Sequence, residues 1–295
     1  MSTGTPKLSV ATPVVTMFPR ASAEWEKQAS IEDLAQIAEA ADRLGYYHLT
    51  CSEHIALPAA EQHRRGARYW DPLATFGFLA ARTRRIRLAT NVLVLGYHHP
   101  LEIAKRYGTL DKVSNGRLIL GVGVGSLKEE FELLGAPFDD RGARGDDALR
   151  ALRASLSVPE PSYHGEFYSF GGMVVDPCAV QERVPIWIGG RTLRSLRRAA
   201  TLAADGWAPF AVSLQQAREW LRRFELGPGF EVVLPPPAPL NPINEPERTR
   251  DTIAEVAAHG ATIVSAIFTH TSLQHYLENL HALAELHPSA LRGLP

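Results

Sequence analysis

Four short stretches of this sequence combine reactive side chains, or backbone freed by glycine, with a setting that could use them. Cys51-Ser52-Glu53-His54 offers a thiol, a carboxylate and an imidazole within four positions. An imidazole can donate or accept a proton near neutral pH, so Glu53 and His54 read as a proton-transfer or hydrogen-bonding pair. The alternative is a loop histidine satisfied by its neighbours. A metal centre on Cys51 and His54 would need further ligands at useful spacing, and none follows, so no metal is expected. His98-His99, ahead of Pro100, has the same character more faintly. Gly121-Val122-Gly123-Val124-Gly125-Ser126 suggests a dinucleotide loop, but Ser126 stands where the third glycine belongs and the run follows a fourth strand instead of a first. What survives is physical: glycines leaving a buried strand let another backbone or a flat ligand approach closely, unless they are purely structural. Ile188-Gly189-Gly190-Arg191-Thr192 joins a strand to a helix start, whose unpaired N–H groups favour an anion. Arg191 and Arg194 add charge there. Arg197 and Arg198 read as an ordinary solvated face, and the run from Arg82 to Arg87 as a helix C-terminus complementing its dipole. No phosphate-loop, zinc-protease or nucleophile-elbow pattern occurs.

The elements that must position these residues alternate along the chain. Leu8 to Val15 reads as a strand. Ser30 with Asp33 opens a helix whose apolar residues Ile31, Leu34, Ile37, Ala41 and Leu44 recur at helical spacing, closed by Gly45. Strands are expected at Tyr46 to Thr50, Ile86 to Leu93, Leu118 to Val122, Pro185 to Ile188, Gly206 to Pro209, Phe230 to Leu234 and Thr262 to Phe268. Helical patterns separate them, one opened by Asp71-Pro72. Residues 158–184 lack helical period and read as an excursion of short strands. Six prolines from Pro235 to Pro246 exclude a helix or a central strand there. Strands separated by helices pair in parallel, and eight such units in 295 residues fit an α/β fold, a (β/α)8 TIM barrel with an insertion between strands four and five. An open sheet with a nucleotide at its switch point is the competing architecture. Residues 1–295 are expected to form a single domain.

Thirty-one basic and thirty-two acidic residues leave a net charge of −1, which argues against a broad nucleic-acid face. No apolar run reaches the ~18 residues of a membrane span. Met1 to Met17 lacks a basic start followed by a continuous apolar core. Two cysteines, Cys51 and Cys178, suit a reducing compartment. The expectation is a cytoplasmic enzyme acting on a small molecule, without membrane or nucleic acid.

Several stretches together resemble the luciferase-like monooxygenase superfamily, whose members use flavin or deazaflavin. They are Trp70-Asp71-Pro72, Arg87 to Val94 leading to His99-Pro100, Leu110-Asp111, Asn115 to Gly123, Glu130-Phe131, Gly135, Arg141, Pro185 to Gly190 and Asp205-Gly206-Trp207, in family order across residues 8–290. Within the superfamily the chain looks most like the oxidoreductases that use the deazaflavin coenzyme F420. The resemblance implies an eight-stranded barrel with an insertion and a non-proline cis peptide at Asn91–Val92 against the coenzyme ring. It implies that Glu53 and His54 face the coenzyme, that the ring lies across Asn91, Val92, Gly121 and Gly123, and that Gly189 and Gly190, with Arg191, hold the phosphate. Relatives are often homodimers. Ser126 stands where sugar-phosphate dehydrogenases of the superfamily carry a glutamate, which makes a sugar phosphate an unsuitable substrate. The activity implied is hydride transfer between F420 and a small organic substrate. The alternatives are an FMN-dependent monooxygenase served by a separate flavin reductase, and a non-catalytic flavin- or deazaflavin-binding protein. Met17, Phe18, Trp70, Tyr97, Phe210 and the Pro235–Pro246 loop could line an entrance for an apolar or aromatic molecule.

Overall fold

The computed structural model describes residues 5–19, 21–202 and 204–291. The ends of the expected 1–295 unit, with residues 20 and 203, lie outside the described residues. The described residues form eleven strands: β1 Lys7–Val10, β2 His48–Cys51, β3 Arg87–Thr90, β4 Leu93–Val94, β5 Leu118–Gly123, β6 Tyr163–His164, β7 Ser169–Phe170, β8 Ile186–Gly190, β9 Gly206–Pro209, β10 Glu231–Leu234 and β11 Ile263–Ala266. Eight of them close a parallel barrel in the order β1-β2-β3-β5-β8-β9-β10-β11, with β11 returning to β1. The short β4 extends the same path, pairing with β5 beyond the point where β3 leaves it. The antiparallel hairpin β6–β7 stands outside the barrel, in the segment expected to leave the alternation.

Local sequence explains the boundaries. Helix α1, Ile31–Leu44, starts at Ser30, which accepts from the Asp33 amide while Asp33 accepts from the Ser30 amide, and it ends at Gly45 in the left-handed region (φ +88°). The helix over Pro72–Arg82 begins with Asp71 accepting from the Ala74 amide and Pro72 in its first turn. Alternation along the strands sorts side chains into two cores. Outward residues such as Leu8, Leu49, Leu88, Leu120, Ile188 and Val264 join the helices in the larger core. Inward residues Ala89, Ile119, Trp187, Ala208, Val233 and Ile263 fill the middle of the barrel.

Strand three differs from its expected form of one strand over Ile86 to Leu93. It breaks after Thr90, and the Asn91–Val92 peptide is cis. Here the chain swings inward across the barrel. A Cβ at Gly121 would lie 1.9 Å from the Thr90 carbonyl oxygen, one at Gly123 2.8 Å from a Val92 methyl, and one at Gly189 2.3 Å from the other Val92 methyl. Glycine is therefore required at these inward positions because the segment Thr90–Val92 occupies the space a side chain would need.

Gly121→Ala should destabilise the protein by about 2 kcal/mol or more, since the obstructing atom is backbone and cannot rotate away. Gly77→Ala, at an exposed helical position with nothing within 4 Å of the added carbon, should instead stabilise by up to ~1 kcal/mol. Denaturant midpoints of the two variants would check the contrast. Equal and small effects would show that the Thr90 crossing yields.

Candidate active site

The C-terminal end of a (β/α)8 barrel is where chemistry is built, from strand ends and the loops that follow. In this chain that end is narrow in side chains: the last inward positions are Gly123, Gly189, Ala208 and Ser265. Val92, half-buried, lies over two of these glycines and floors the mouth with its methyl groups. Asn91 is exposed beside it. Its carbonyl accepts from the Ser52 hydroxyl (2.7 Å), and its amide donates to the Cys51 carbonyl (2.8 Å). The Val92 carbonyl accepts from the Glu53 amide (3.2 Å). The exit of β2 and the break after β3 are thus tied together by three hydrogen bonds.

The structure does not bring Glu53 and His54 together as a pair; each finds another partner. Glu53 is buried, accepting from the Val94 amide at 2.7 Å and pairing with His98 Nε2 at 2.7 Å. Successive residues leaving a strand point to opposite sides, so the two neighbours separate. Burial opposes charge on His98, but the hydrogen bond to Glu53 and its negative charge outweigh this and raise the imidazole above its ordinary value near 6.5. Glu53 therefore braces β4 and the following turn with a charged partner.

His54 Nδ1 lies 2.6 Å from Glu130 Oε2. Glu130 is buried on the helix Lys128–Leu133 and also accepts from the Tyr97 hydroxyl (2.9 Å) and the Ile55 and Ala56 amides (2.8 and 3.2 Å). Burial pushes its acidity the other way, yet the bonds from His54, Tyr97 and Ile55, with the charge of His54, keep the carboxyl below the usual range. An ionised carboxylate accepts only, which assigns the hydrogen to His54 Nδ1 and leaves Nε2 with a lone pair when the ring is neutral. Nε2 has no protein partner among the described residues, on a side chain that is 18% exposed and packed edge-on against Tyr69 (4.5 Å). The arrangement is a histidine oriented by a fixed base, free to move a proton. Glu130 carries this role; in the sequence it stands out only with Phe131 as part of the family resemblance, and nothing local distinguishes its carboxylate from that of Glu129 on the same short acidic helix. Only the fold decides which of the two is buried.

Across the mouth, β8 ends at Gly190, whose φ of +145° suits glycine, and a helix follows at Leu193–Thr201. A Cβ on Gly190 would lie 2.7 Å from that of Ser195, so this glycine also lets the helix close on the strand. Thr192 makes no side-chain cap, leaving first-turn amides open beside the exposed Arg191. Arg194 is exposed as well, whereas Arg198 is anchored by Asp146 and the Gly142 carbonyl, not simply solvated. Gly121 faces the Thr90 carbonyl beneath the mouth and so admits backbone, one of the two close approaches expected of these glycines. Phe18, Ile55, Phe210 and Ile267 are exposed around the rim, with Met17, Trp70 and Tyr97 partly covered. Val14 (φ +73°) and Ala211 (φ +52°) hold left-handed backbone in the loops after β1 and β9. Among the described residues no group of three potential ligands gathers for a metal, and no helix is long and apolar enough to cross a membrane.

The His98–Glu53 pair carries a pH signature. A histidine whose folded value is raised stabilises fully below its unfolded value, about 6.5, and loses that contribution as pH rises through the folded value. Melting curves of the wild type and His98→Gln should therefore lie furthest apart below about pH 6.5 and converge as pH rises. A separation independent of pH would show that His98 is not charged in the fold.

Sequence comparison identifies a family, and structural comparison the fold. The profile of the luciferase-like monooxygenase family matches residues 12–234, more than half of the chain. An uncharacterised protein of Mycobacterium tuberculosis is 32% identical over 183 residues, 58% of this chain and 62% of that protein, so the match spans about three-fifths of the relative's length. Among solved structures, the monooxygenase RslO1 of Streptomyces bottropensis superposes with a TM-score of 0.73 at 22% identity, covering 96% of this chain and 99% of that one. An F420-dependent secondary alcohol dehydrogenase in complex with an F420-acetone adduct gives 0.72 at 13% identity, covering 98% and 100%. The FMN-bound oxygenating constituent of 3,6-diketocamphane monooxygenase from Pseudomonas putida gives 0.70 at 14%, covering 96% and 98%. These structures share the fold. The family match adds the lineage: the chain belongs to the luciferase-like monooxygenase family.

Proposed function

We propose that this chain is an oxidoreductase that holds the deazaflavin coenzyme F420 across the barrel mouth and passes a hydride between it and a small organic substrate. The observation that carries the reading is Val92 lying over Gly123 and Gly189, an apolar floor with no taller side chain on the strands beneath it. A flat tricyclic ring fits such a floor. Asn91 and Val92 would touch the ring, with Gly121 and Gly123 keeping the strand beneath it low. The open first turn of the helix Leu193–Thr201, with Gly189, Gly190 and Arg191, would hold the phosphate, because helix N-termini favour anions.

When bound, the deazaflavin supplies two-electron hydride chemistry; the protein supplies position, a proton and exclusion of water. His54 Nε2 would give or take the proton at the polar edge of the site, while Glu130 keeps Nδ1 protonated. Glu53 acts at one remove, holding Val94 and the turn that carries Tyr97. The apolar rim of Met17, Phe18, Trp70, Tyr97 and Phe210 favours an apolar or aromatic substrate. A cytoplasmic homodimer completes the proposal. The choice of F420 over FMN rests on Arg191 and Arg194, one turn apart and both exposed, where the coenzyme's acidic tail would leave the phosphate. Exposed charges of this kind tune affinity modestly.

F420 should bind at least ten times tighter than FMN, about 1.4 kcal/mol, in fluorescence titrations. Arg191→Ala should weaken F420 binding about tenfold. FMN binding equally well, with oxygen uptake on adding a flavin reductase, would reverse the assignment to a monooxygenase. Binding without turnover across a panel of substrates would leave a non-catalytic carrier. His54→Ala should lower turnover by ~100-fold or more with coenzyme affinity little changed. Normal turnover in that variant would remove His54 from the chemistry.

A further inference from the structure

Beside the mouth, the loops that follow β1 and β2 enclose a cleft of about 430 Å³. Phe18, Pro19 and Ala21 line one side, and His63 and Arg64, on the short helix Gln62–Arg65, line the other. That volume is of the size that holds a small organic molecule. The two walls are fixed to each other by backbone. The Met17 amide donates to the Arg68 carbonyl (3.2 Å), the Trp70 amide donates to the Val15 carbonyl (2.9 Å), and Thr16 pairs with Tyr69. The Arg68 guanidinium donates to the Glu26 and Lys27 carbonyls at the far end of the first loop. Gly66, at φ +78°, lets the short helix turn down onto that loop, since a Cβ there would lie 1.7 Å from the Met17 carbonyl oxygen. The cleft is therefore preformed.

Its chemistry is one-sided. Phe18 presents an apolar ring that is half exposed, and no carboxylate among the described residues lines the cleft. Glu61, at the start of the basic wall, takes the Nε of both Arg64 (3.0 Å) and Arg65 (3.1 Å) on a single oxygen. One carboxylate against two guanidiniums leaves one positive charge. Arg64, with its side chain 61% exposed, presents that charge to the cleft, and the exposed His63 adds a ring donor beside it. Tyr69 joins the cleft to the reacting edge of the mouth. Its ring meets Phe18 edge-on at 6.4 Å and His54 edge-on at 4.5 Å, and its hydroxyl donates to the Arg65 carbonyl (2.9 Å), which holds the ring between them.

We propose that this cleft is a substrate subsite and that the substrate is an elongated apolar or aromatic carboxylic acid. Its carboxylate sits at Arg64 and His63, its body lies against Phe18, and its far end passes Tyr69 to reach His54. A single carboxylate matches the one uncompensated charge, and a guanidinium binds it through paired N–H donors. The inference rests on the mouth being the reaction site, but not on which coenzyme occupies it.

Equilibrium dialysis of the full chain against 6-phenylhexanoate and 6-phenylhexanamide would test the subsite. The acid should bind about three- to fivefold tighter than the amide, the gain expected of an exposed ion pair. Arg64→Gln leaves Glu61 matched by Arg65 alone and should abolish the preference, whereas Arg64→Lys should keep most of it. Phe18→Ala should weaken acid and amide by the same factor. In NMR spectra the acid should shift the His54 ring signals, identified by their loss in His54→Gln, and acetate should not. Equal binding of acid and amide would overturn the proposal, as would binding of neither, a preference retained in Arg64→Gln, or unshifted His54 signals. The measurement needs neither coenzyme nor turnover. FMN in place of F420 would leave its result unchanged, and its own failure would leave the coenzyme reading standing.

Discussion

The inward swing of the chain at Thr90–Val92 is the constraint on which the site depends. Backbone that crosses the inner face of a barrel occupies volume that side chains on neighbouring strands would otherwise fill. Close packing leaves no room for both. Gly121, Gly123 and Gly189 come from two strands and from two separate glycine motifs, yet all three answer to this one crossing. The crossing is held from the other side as well. Ser52 and the Glu53 amide bond the carbonyls of Asn91 and Val92, and the Glu53 carboxylate holds the Val94 amide. Fixing the exit of β2 against the break in β3 fixes where His54 emerges.

Two acid–histidine pairs then divide the work. Glu53 with His98 lies within the wall, where burial and mutual charge make a brace. Glu130 with His54 lies at the edge, where one ring nitrogen is held and the other is open. Both carboxylates receive several hydrogen bonds, which is how a buried charge is tolerated. What distinguishes the pairs is whether the histidine retains an unoccupied nitrogen facing outward. His98 uses Nε2 on Glu53 and turns Nδ1 toward Glu102 at 3.5 Å, so little of it is left for a ligand.

The barrel itself was legible in the sequence because its signals are local. Caps at Ser30 and Asp71, the closing Gly45 and the proline run after Leu234 mark boundaries by backbone chemistry that needs no tertiary partner. Strand ends differed: the first strand stops at Val10 instead of Val15, because Pro13 and the left-handed Val14 turn the chain toward α1, whereas β5 and β8 run on to Gly123 and Gly190. Partner choice was not legible. Glu53 and His54 are adjacent in sequence, and adjacency suggested a pair. On leaving a strand, adjacency is the arrangement that sends side chains to opposite sides. Glu130 lies 76 positions from His54 and meets it only through closure of the barrel. Arg87 shows the same limit: its basic neighbours made it read as part of a helix C-terminus, while alternation along β3 places it on the inward side, in register with His48.

The two ends of the barrel follow opposite solutions to one packing problem. At the N-terminal end, long side chains from β1, β3, β8 and β10 reach inward, and their polar tips must find partners among themselves. At the C-terminal end the inward residues are small, and the volume they leave is closed only by two methyl groups of Val92. A floor made of backbone and one short side chain is insensitive to the loops around it. The rim, by contrast, is made of loop residues such as Phe18, Ile55 and Phe210, which are exposed and make few demands on the fold. In the proposed reading the invariant part of the task, presenting a flat ring, falls to the floor. The choice of substrate falls to the rim, where sequence can change without disturbing the crossing beneath it.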